Sequence, residues 1–215
     1  MRVICHTQCD DSWHEARDGI PSASNFHRIY AVATDKMSDG MDRYIQELVN
    51  ERLCYTPNYF SAVANKPSTP AMRKGHDQEP FARAWYEKEM GKPCHNVGFV
   101  TTDDGRFGCS PDFLVGDDVV GEIKTFSDAS HSKWLHYDAL PAKFACQCLG
   151  QLLITGRPVH HFVLWSETLE RRIVRTFAAE KATAERIRKL KIALEVFDAR
   201  YAAALKAAGL ERRKP

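Results

Sequence analysis

The apolar residues of this chain change period in its middle third, and that change decides which class of fold is open to it. Residues 97–102 and 106–109 read as short strands. Residues 113–115 and 119–126 flank Gly116-Asp117-Asp118, the composition of a hairpin turn. On either side the spacing is helical. Upstream, Ser22-Ala23-Ser24 ahead of Phe26, Ile29 and Tyr30 reads as a capped helix start, and 41–54 carries a second helical pattern. Residues 54–73, with Pro57, Pro67 and Pro70, read as an irregular connection; 77–90 then places Phe81, Ala84, Trp85 and Met90 on one helical stripe ahead of Gly91. Downstream, Pro141 opens a helix that runs to Thr155 and stops at Gly156, and 159–165 and 171–177 are strand candidates. Residues 178–208 form a long amphipathic helix with Ile187, Leu190, Leu194, Phe197, Tyr201 and Leu205 along one side. This order predicts a single α/β domain over 1–215, with a central mixed sheet of about five strands flanked by helices.

Composition narrows the partners very little. There are 30 Lys and Arg against 28 Asp and Glu, a net charge of +2, which neither demands a polyanion nor excludes one whose contacts lie in a patterned groove. No apolar run approaches the roughly 18 residues of a bilayer span, and the opening MRVICHTQCDDSWHE carries acids where a signal peptide needs an apolar stretch. A cytoplasmic location is the default. The 7 cysteines include no CxxC pair and none beyond Cys148. They are expected to be free, mostly buried thiols, with a zinc ribbon or iron–sulfur cluster disfavoured.

Chemistry concentrates in Ser110-Pro111-Asp112 and, nine residues on, Glu122-Ile123-Lys124. Glu122 and Lys124 are two apart in a strand and leave the same face. The turn folds that face back towards Asp112, so two carboxylates and one ammonium group meet at the sheet surface. Magnesium suits such a place, because it takes hard oxygen ligands, keeps several waters and needs only one or two carboxylates; the Ile123 carbonyl can add another oxygen. Each half alone has a plainer reading, since Pro-Asp is a common turn and Glu-x-Lys a common exposed pair on a strand. Joined on two strands among apolar residues, they point to phosphodiester hydrolysis.

Pro111-Asp112…Glu122-Ile123-Lys124 also fits the PD-(D/E)xK nuclease pattern, and the likeness extends outside it. Asp11-Ser12-Trp13-His14-Glu15-Ala16-Arg17-Asp18-Gly19-Ile20-Pro21-Ser22-Ala23-Ser24 resembles the N-terminal signature of the phage lambda exonuclease (YqaJ-like) recombinases. Gly75-His76-Asp77-Gln78-Glu79 is similar to that family's helix with a metal-site glutamate, and Lys143-Phe144-Ala145-Cys146-Gln147 to its glutamine-bearing helix. The blocks keep the family's order over about residues 10–165.

The resemblance implies a restriction-endonuclease-like core and an alkaline-type 5′→3′ exodeoxyribonuclease. Asp112, Glu122 and the Ile123 carbonyl would bind the main divalent ion, Mg2+ or Mn2+. Glu79 would support a second ion or its waters, and Lys124 would act on the nucleophilic water. Arg17, Ser24, Ser110 and Gln147 would form a pocket for the 5′-phosphate of double-stranded DNA. Digestion of one strand would leave a 3′ overhang for recombination by single-strand annealing. The resemblance further implies a processive homotrimer ring and a phage annealing protein as partner, in a phage- or prophage-encoded protein.

Plainer alternatives stand beside several of these roles: Arg17 as a surface charge, Ser24 as an N-cap, Glu79 as a first-turn acid facing the helix dipole. Phe144 stands where the family has a tyrosine, the role of Gln151 is open, and 35–73 matches only loosely. His160-His161 reads as a core-and-surface pair on a strand, and Trp13 stands near the implied pocket with its role open. A restriction-like or repair endonuclease and a non-cleaving DNA-binding protein are the rival functions.

Overall fold

The hairpin around Gly116 organises the observed architecture. The structure is a computed structural model that describes residues 1–5, 7–54, 69–136, 140–169, 172–178 and 180–212. In chain order the elements are β1 (Arg2–Cys5), α1 (Asp11–Arg17), a 3-10 helix (Ala23–Arg28), β2 (Tyr30–Ala31), β3 (Lys36–Met37), α2 (Met41–Leu53) and α3 (Pro70–Met90). There follow β4 (Phe99–Thr101), β5 (Gly108–Cys109), β6 (Phe113–Val115), β7 (Val119–Thr125), α4 (Asp128–Leu135), α5 (Ala142–Thr155), β8 (Val159–Trp165), β9 (Ile173–Ala178) and α6 (Lys181–Ala207). The central mixed sheet has four strands in the order β6-β7-β8-β9. β7 and β8 are parallel, and the flanking pairs antiparallel. β4 and β5 do not join it; with β1 they make a separate three-stranded sheet.

The parallel pair demands a crossover, and α5 supplies it. Glu122 and Lys124 on β7 stand in register with Phe162 and Leu164 on β8, so these residues share one face with Val120 and His160. α5 covers that face, where Cys148 packs with Phe162 and Leu164. The opposite face, with Phe113, Ile123 and Val163, packs against Ala82 and Tyr86 of α3. The largest apolar cluster lies beyond α5, where the 3-10 helix, α2 and α6 contribute Phe26, Tyr44, Leu194 and Phe197. The turn is held from outside: Arg157 donates to the carbonyls of Gly116 at 2.7 Å and Val119 at 3.0 Å.

The structure corrects several sequence expectations. Ala23–Arg28 form a 3-10 helix rather than a capped α-helix, with Tyr30 already in β2. Pro21 and Ser22 are held extended by a bridge to Gly108, and the Ser22 amide donates to the Tyr44 hydroxyl at 3.1 Å. α3 begins at Pro70, ahead of the expected start at 77, and contains Pro80. Its buried side is Gln78, Ala82 and Tyr86, while Phe81 is 67% exposed. The stripe drawn through Phe81 and Ala84 is thus turned away from the core, because the sheet recruits the polar–aromatic side instead. β1 and α4 carry too short a pattern to stand out in the sequence. His160 and His161 are both buried, since helices cover the sheet on both faces. His161 meets the Tyr86 hydroxyl at 2.6 Å. All seven cysteines are free, four of them buried. Most of the expected 54–73 connection lies outside the described residues, as does the proposed strand start at Arg171.

Gly121 is where this packing is least tolerant. A Cβ there would enter the Phe113 ring, which is itself fully buried. Overpacking costs about 1–3 kcal/mol, so Gly121→Ala is expected to lower unfolding stability by that amount in urea titrations, against no comparable loss for alanine in place of exposed Phe81.

Candidate active site

The antiparallel register pairs Phe113 with Gly121, and one step further along the ladder Asp112 stands opposite Glu122. The ladder continues through side chain and backbone. The Asp112 amide donates to the Gly121 carbonyl at 3.0 Å, and the Ile123 amide donates to Asp112 Oδ2 at 2.6 Å. Lys124 Nζ closes on Glu122 Oε1 at 2.5 Å. The two acids and the amine expected from the sequence therefore meet at one end of the hairpin.

Their electrostatics are those of an excess of negative charge. Burial, with the Glu122 carboxylate next in weight, pushes the Asp112 carboxyl well above the usual range; Lys124 and the Ile123 amide only partly oppose it. Burial works against the Lys124 ammonium, but Glu122 and Asp112 outweigh it and hold that group charged above the ordinary lysine range. One cation thus serves two acids. Gln151, left open by the sequence, donates Nε2 to Glu122 Oε2 at 2.6 Å, and its Oε1 meets His160 Nε2 at 2.6 Å.

The donor set fits a hard divalent ion. The N–H and C=O of one strand residue leave the same edge, so the Ile123 carbonyl points to the side on which its amide binds Asp112. The carboxylate charge that Lys124 leaves unbalanced lies on that side. Glu79 borders the same cleft, a cavity of about 280 Å³ also lined by Asp112, His76, Arg83, Asn96 and Thr7. Its charge reaches Asp112, but its carboxylate is held by Arg83 at 2.5 Å. Among the described residues no three His, Cys, Asp or Glu side chains converge as a ready metal cluster; Asp112 and Glu122 are the acids that meet. Pro80 lacks an amide hydrogen, so the His76 carbonyl loses its i+4 helical donor.

The four residues implied for phosphate binding fall into two groups. Arg17 and Ser110 are together: the guanidinium donates to Ser110 Oγ at 3.0 Å and lies over the Trp13 ring at 4.1 Å. Trp13 Nε1 donates to the same hydroxyl at 2.9 Å, which gives that tryptophan a role the sequence left open. No carboxylate pairs with Arg17 among the described residues, and burial lowers its pKa. Ser24 pairs with Ser22 at 3.1 Å. Gln147 is 7% exposed on α5. The 3-10 helix and α5 pack closely at Gly150, where a Cβ would strike Phe26. No hydrogen bond among the described residues joins Ser24 or Gln147 to the Arg17–Ser110 pair.

A sheet of this order, with acids on the hairpin and α5 behind them, is a restriction-endonuclease-like core. Residues 12–158 match the YqaJ-like viral recombinase domain, and the chain belongs to that family. Among solved structures it is similar to an alkaline exonuclease, LHK-Exo, from Laribacter hongkongensis. The likeness has 25% identity and a TM-score of 0.73, and covers 93% of this chain and 98% of that one. The same enzyme in complex with dAMP gives 26% identity at TM-score 0.73, covering 93% and 98%. A phage-related exonuclease from Haemophilus somnus shares the fold, with 12% identity, TM-score 0.53 and coverage of 86% and 96%. No curated protein matches the chain by sequence.

A site with surplus negative charge is destabilising until a cation arrives. A carboxyl raised in the folded state binds more protons than in the unfolded chain. Its folding advantage is complete below the unfolded pKa near 3.8 and is lost as pH rises through the folded value. At neutral pH, Asp112→Asn keeps an acceptor for the Ile123 amide and removes the charge. The metal-free variant is expected to melt higher than wild type, by about 2–4 °C per kcal/mol relieved. Added Mg2+ should raise the melting temperature of wild type and not of the variant.

Proposed function

We propose that this chain is a metal-dependent 5′→3′ exonuclease of double-stranded DNA that leaves a 3′ overhang for recombination by single-strand annealing. The observation that carries this is Asp112 facing Glu122 with Lys124 bound to Glu122, two residues from Ser110, which holds the Arg17 guanidinium, a group with no carboxylate partner among the described residues. Membership of a recombinase family and likeness to alkaline exonucleases support a nuclease. The LHK-Exo complex with dAMP, a deoxynucleoside monophosphate, is in keeping with an enzyme that releases single nucleotides.

In this reading Asp112, Glu122 and the Ile123 carbonyl hold the cation, with Mg2+ preferred for an all-oxygen donor set and Mn2+ as a substitute. When bound, the ion polarises the scissile phosphate and lowers the pKa of a coordinated water. The protein's own groups do the rest. Lys124, kept protonated by its acids, lies where it can orient a water and offset charge that builds on the phosphate oxygens. Glu79, poised on Arg83, borders the cleft from α3 and can accept hydrogen bonds from waters in it. Arg17 offers its guanidinium to a terminal 5′-phosphate, with Ser110 as a hydroxyl partner and Trp13 fixing the plane; on the family resemblance, Ser24 and Gln147 would complete the pocket. A homotrimer ring and an annealing partner belong to the same reading, on the family resemblance.

The test is a linear duplex, labelled at either end of one strand, incubated with Mg2+ beside a covalently closed circle. The 5′ label should leave at once as a mononucleotide, the 3′ label should persist on shortening strands, and the circle should stay intact. Nicked circles would instead favour an endonuclease, and binding without cleavage in either Mg2+ or Mn2+ a DNA-binding protein. Lys124→Ala is expected to lose at least about 10²–10⁴-fold in turnover while remaining folded by circular dichroism. A charge-assisted hydrogen bond contributes about 1.5–3 kcal/mol. Arg17→Ala should therefore lose about ten- to a hundredfold in preference for 5′-phosphorylated over 5′-hydroxyl ends and retain measurable cleavage.

A further inference from the structure

We propose that Gln151 and His160 are a positioning pair that sets the rotation of the Glu122 carboxylate, holding Oε2 so that Oε1 is presented to Lys124 and the cation site. The proposal rests on reading Glu122 as a site acid.

The direction of each hydrogen bond follows from what the groups can donate. A carboxylate only accepts, so the Gln151 atom at 2.6 Å from Glu122 Oε2 is the amide nitrogen. The amide oxygen then faces His160, and His160 must donate from Nε2 across 2.6 Å. That requires the Nε2–H tautomer. Nδ1 of the same ring is buried with no hydrogen-bond partner among the described residues, as expected of the bare nitrogen in a neutral imidazole. Burial, with His161 adding to it, pushes His160 down to about 3, in keeping with that form. The chain therefore runs one way, from His160 through Gln151 to Glu122, and Lys124 meets the far oxygen from the other side.

Each link is held by a different element. His160 stands on β8 in register with Val120, Gln151 on the buried side of α5, and Glu122 on β7. Gln151 and His160 have no solvent exposure and Glu122 has 2%. Thr155 Oγ1 donates to the Gln151 carbonyl at 2.7 Å, which ties the helix's last turn to this position. Core packing alone would be served by apolar side chains here, since replacing both hydrogen-bond partners with apolar groups is often nearly neutral. A chain of fixed polarity that ends on an acid of the site is instead what turns a freely rotating carboxylate into one with a chosen face. Without the His160 donor, the Gln151 amide can turn over and set its oxygen against the carboxylate.

The test uses the full-length chain with Gln151→Met, His160→Leu, His160→Gln and His160→Asn. A glutamine amide nitrogen reaches the place of imidazole Nε2, whereas that of asparagine reaches only the place of Nδ1. Mn2+ binding without DNA, followed by water proton relaxation, is read beside kcat and KM on a 5′-phosphorylated linear duplex and beside melting temperature. Residues that orient metal ligands typically contribute about 10–100-fold in affinity or activity. Gln151→Met, His160→Leu and His160→Asn should each weaken Mn2+ binding and lower kcat by about that factor at unchanged KM, and His160→Gln should recover most of both. Folded Gln151→Met with wild-type Mn2+ affinity and kcat would overturn the pair, as would His160→Gln behaving like His160→Leu. Should Gln151→Met not fold, the contrast between His160→Gln and His160→Leu decides. Wild type that binds Mn2+ but cuts no DNA overturns the nuclease function alone, and the binding series still judges the pair. Wild type that binds no Mn2+ overturns both.

Discussion

Two carboxylates held face to face repel each other, and much of this fold serves to keep Asp112 opposite Glu122 regardless. The turn at Gly116 sets the register, Arg157 holds the turn from outside, and the Ile123 amide spends its hydrogen bond on Asp112 rather than on a neighbouring strand. The parallel β7–β8 pair needs a helical crossover, and that crossover is the helix that carries Gln151 to Glu122. A lysine two residues along the same strand offsets part of the charge and cannot offset all of it. The unbalanced remainder is the physical reason to expect a cation there.

What the sequence made legible follows from how local each signal is. The hairpin and its acids could be read because turn residues, strand period and nine-residue separation all lie within about fifteen positions. α6 could be read because its stripe repeats for about five turns, and five of its six expected residues are buried. The buried side of α3 could not. Phe81 fits a helical stripe as well as Ala82 and Tyr86 do, and only the sheet decides which side is covered. His160 was opaque for the same reason: alternation along a strand implies one wet face, whereas helices lie on both faces of this sheet. Gln151 advertised itself as a polar residue on an apolar helix, but its partners come from two neighbouring strands, 29 residues before it and nine after it, and only the sheet brings them together. Arg17 and Ser110, 93 residues apart, drew attention only through family likeness, since an arginine on a short helix has no local mark of a partner.

The second layer of the site has a chemical consequence for how Lys124 can act. Its ammonium is charged because two acids sit beside it, one of them locked in rotation by Gln151. A lysine in that setting is a poor proton acceptor and a good source of fixed positive charge. In the proposed reaction its contribution is therefore greatest as charge builds on the phosphate oxygens, and it is small as a base in the resting protein.

The spacing between the two functional regions bears on why such a protein would work from an end. Ser110, which holds Arg17 and Trp13, and Asp112 are separated only by Pro111, whose fixed φ stiffens the link. Gln8 donates to the Pro111 carbonyl at 2.8 Å and to Val97 at 3.2 Å, and so braces the link from the other side. A terminal phosphate held at Arg17 and Ser110 would thus lie close to the acids, since Ser110 is two residues of backbone from Asp112 and the Arg17 guanidinium is tied to Ser110. Internal phosphodiesters carry a single negative charge and a continuing strand where the pocket would receive a chain end. If the phosphate pocket is as proposed, preference for ends needs no separate gate. It follows from tying the anchor, through Ser110, to the stiff stretch of chain that carries Asp112.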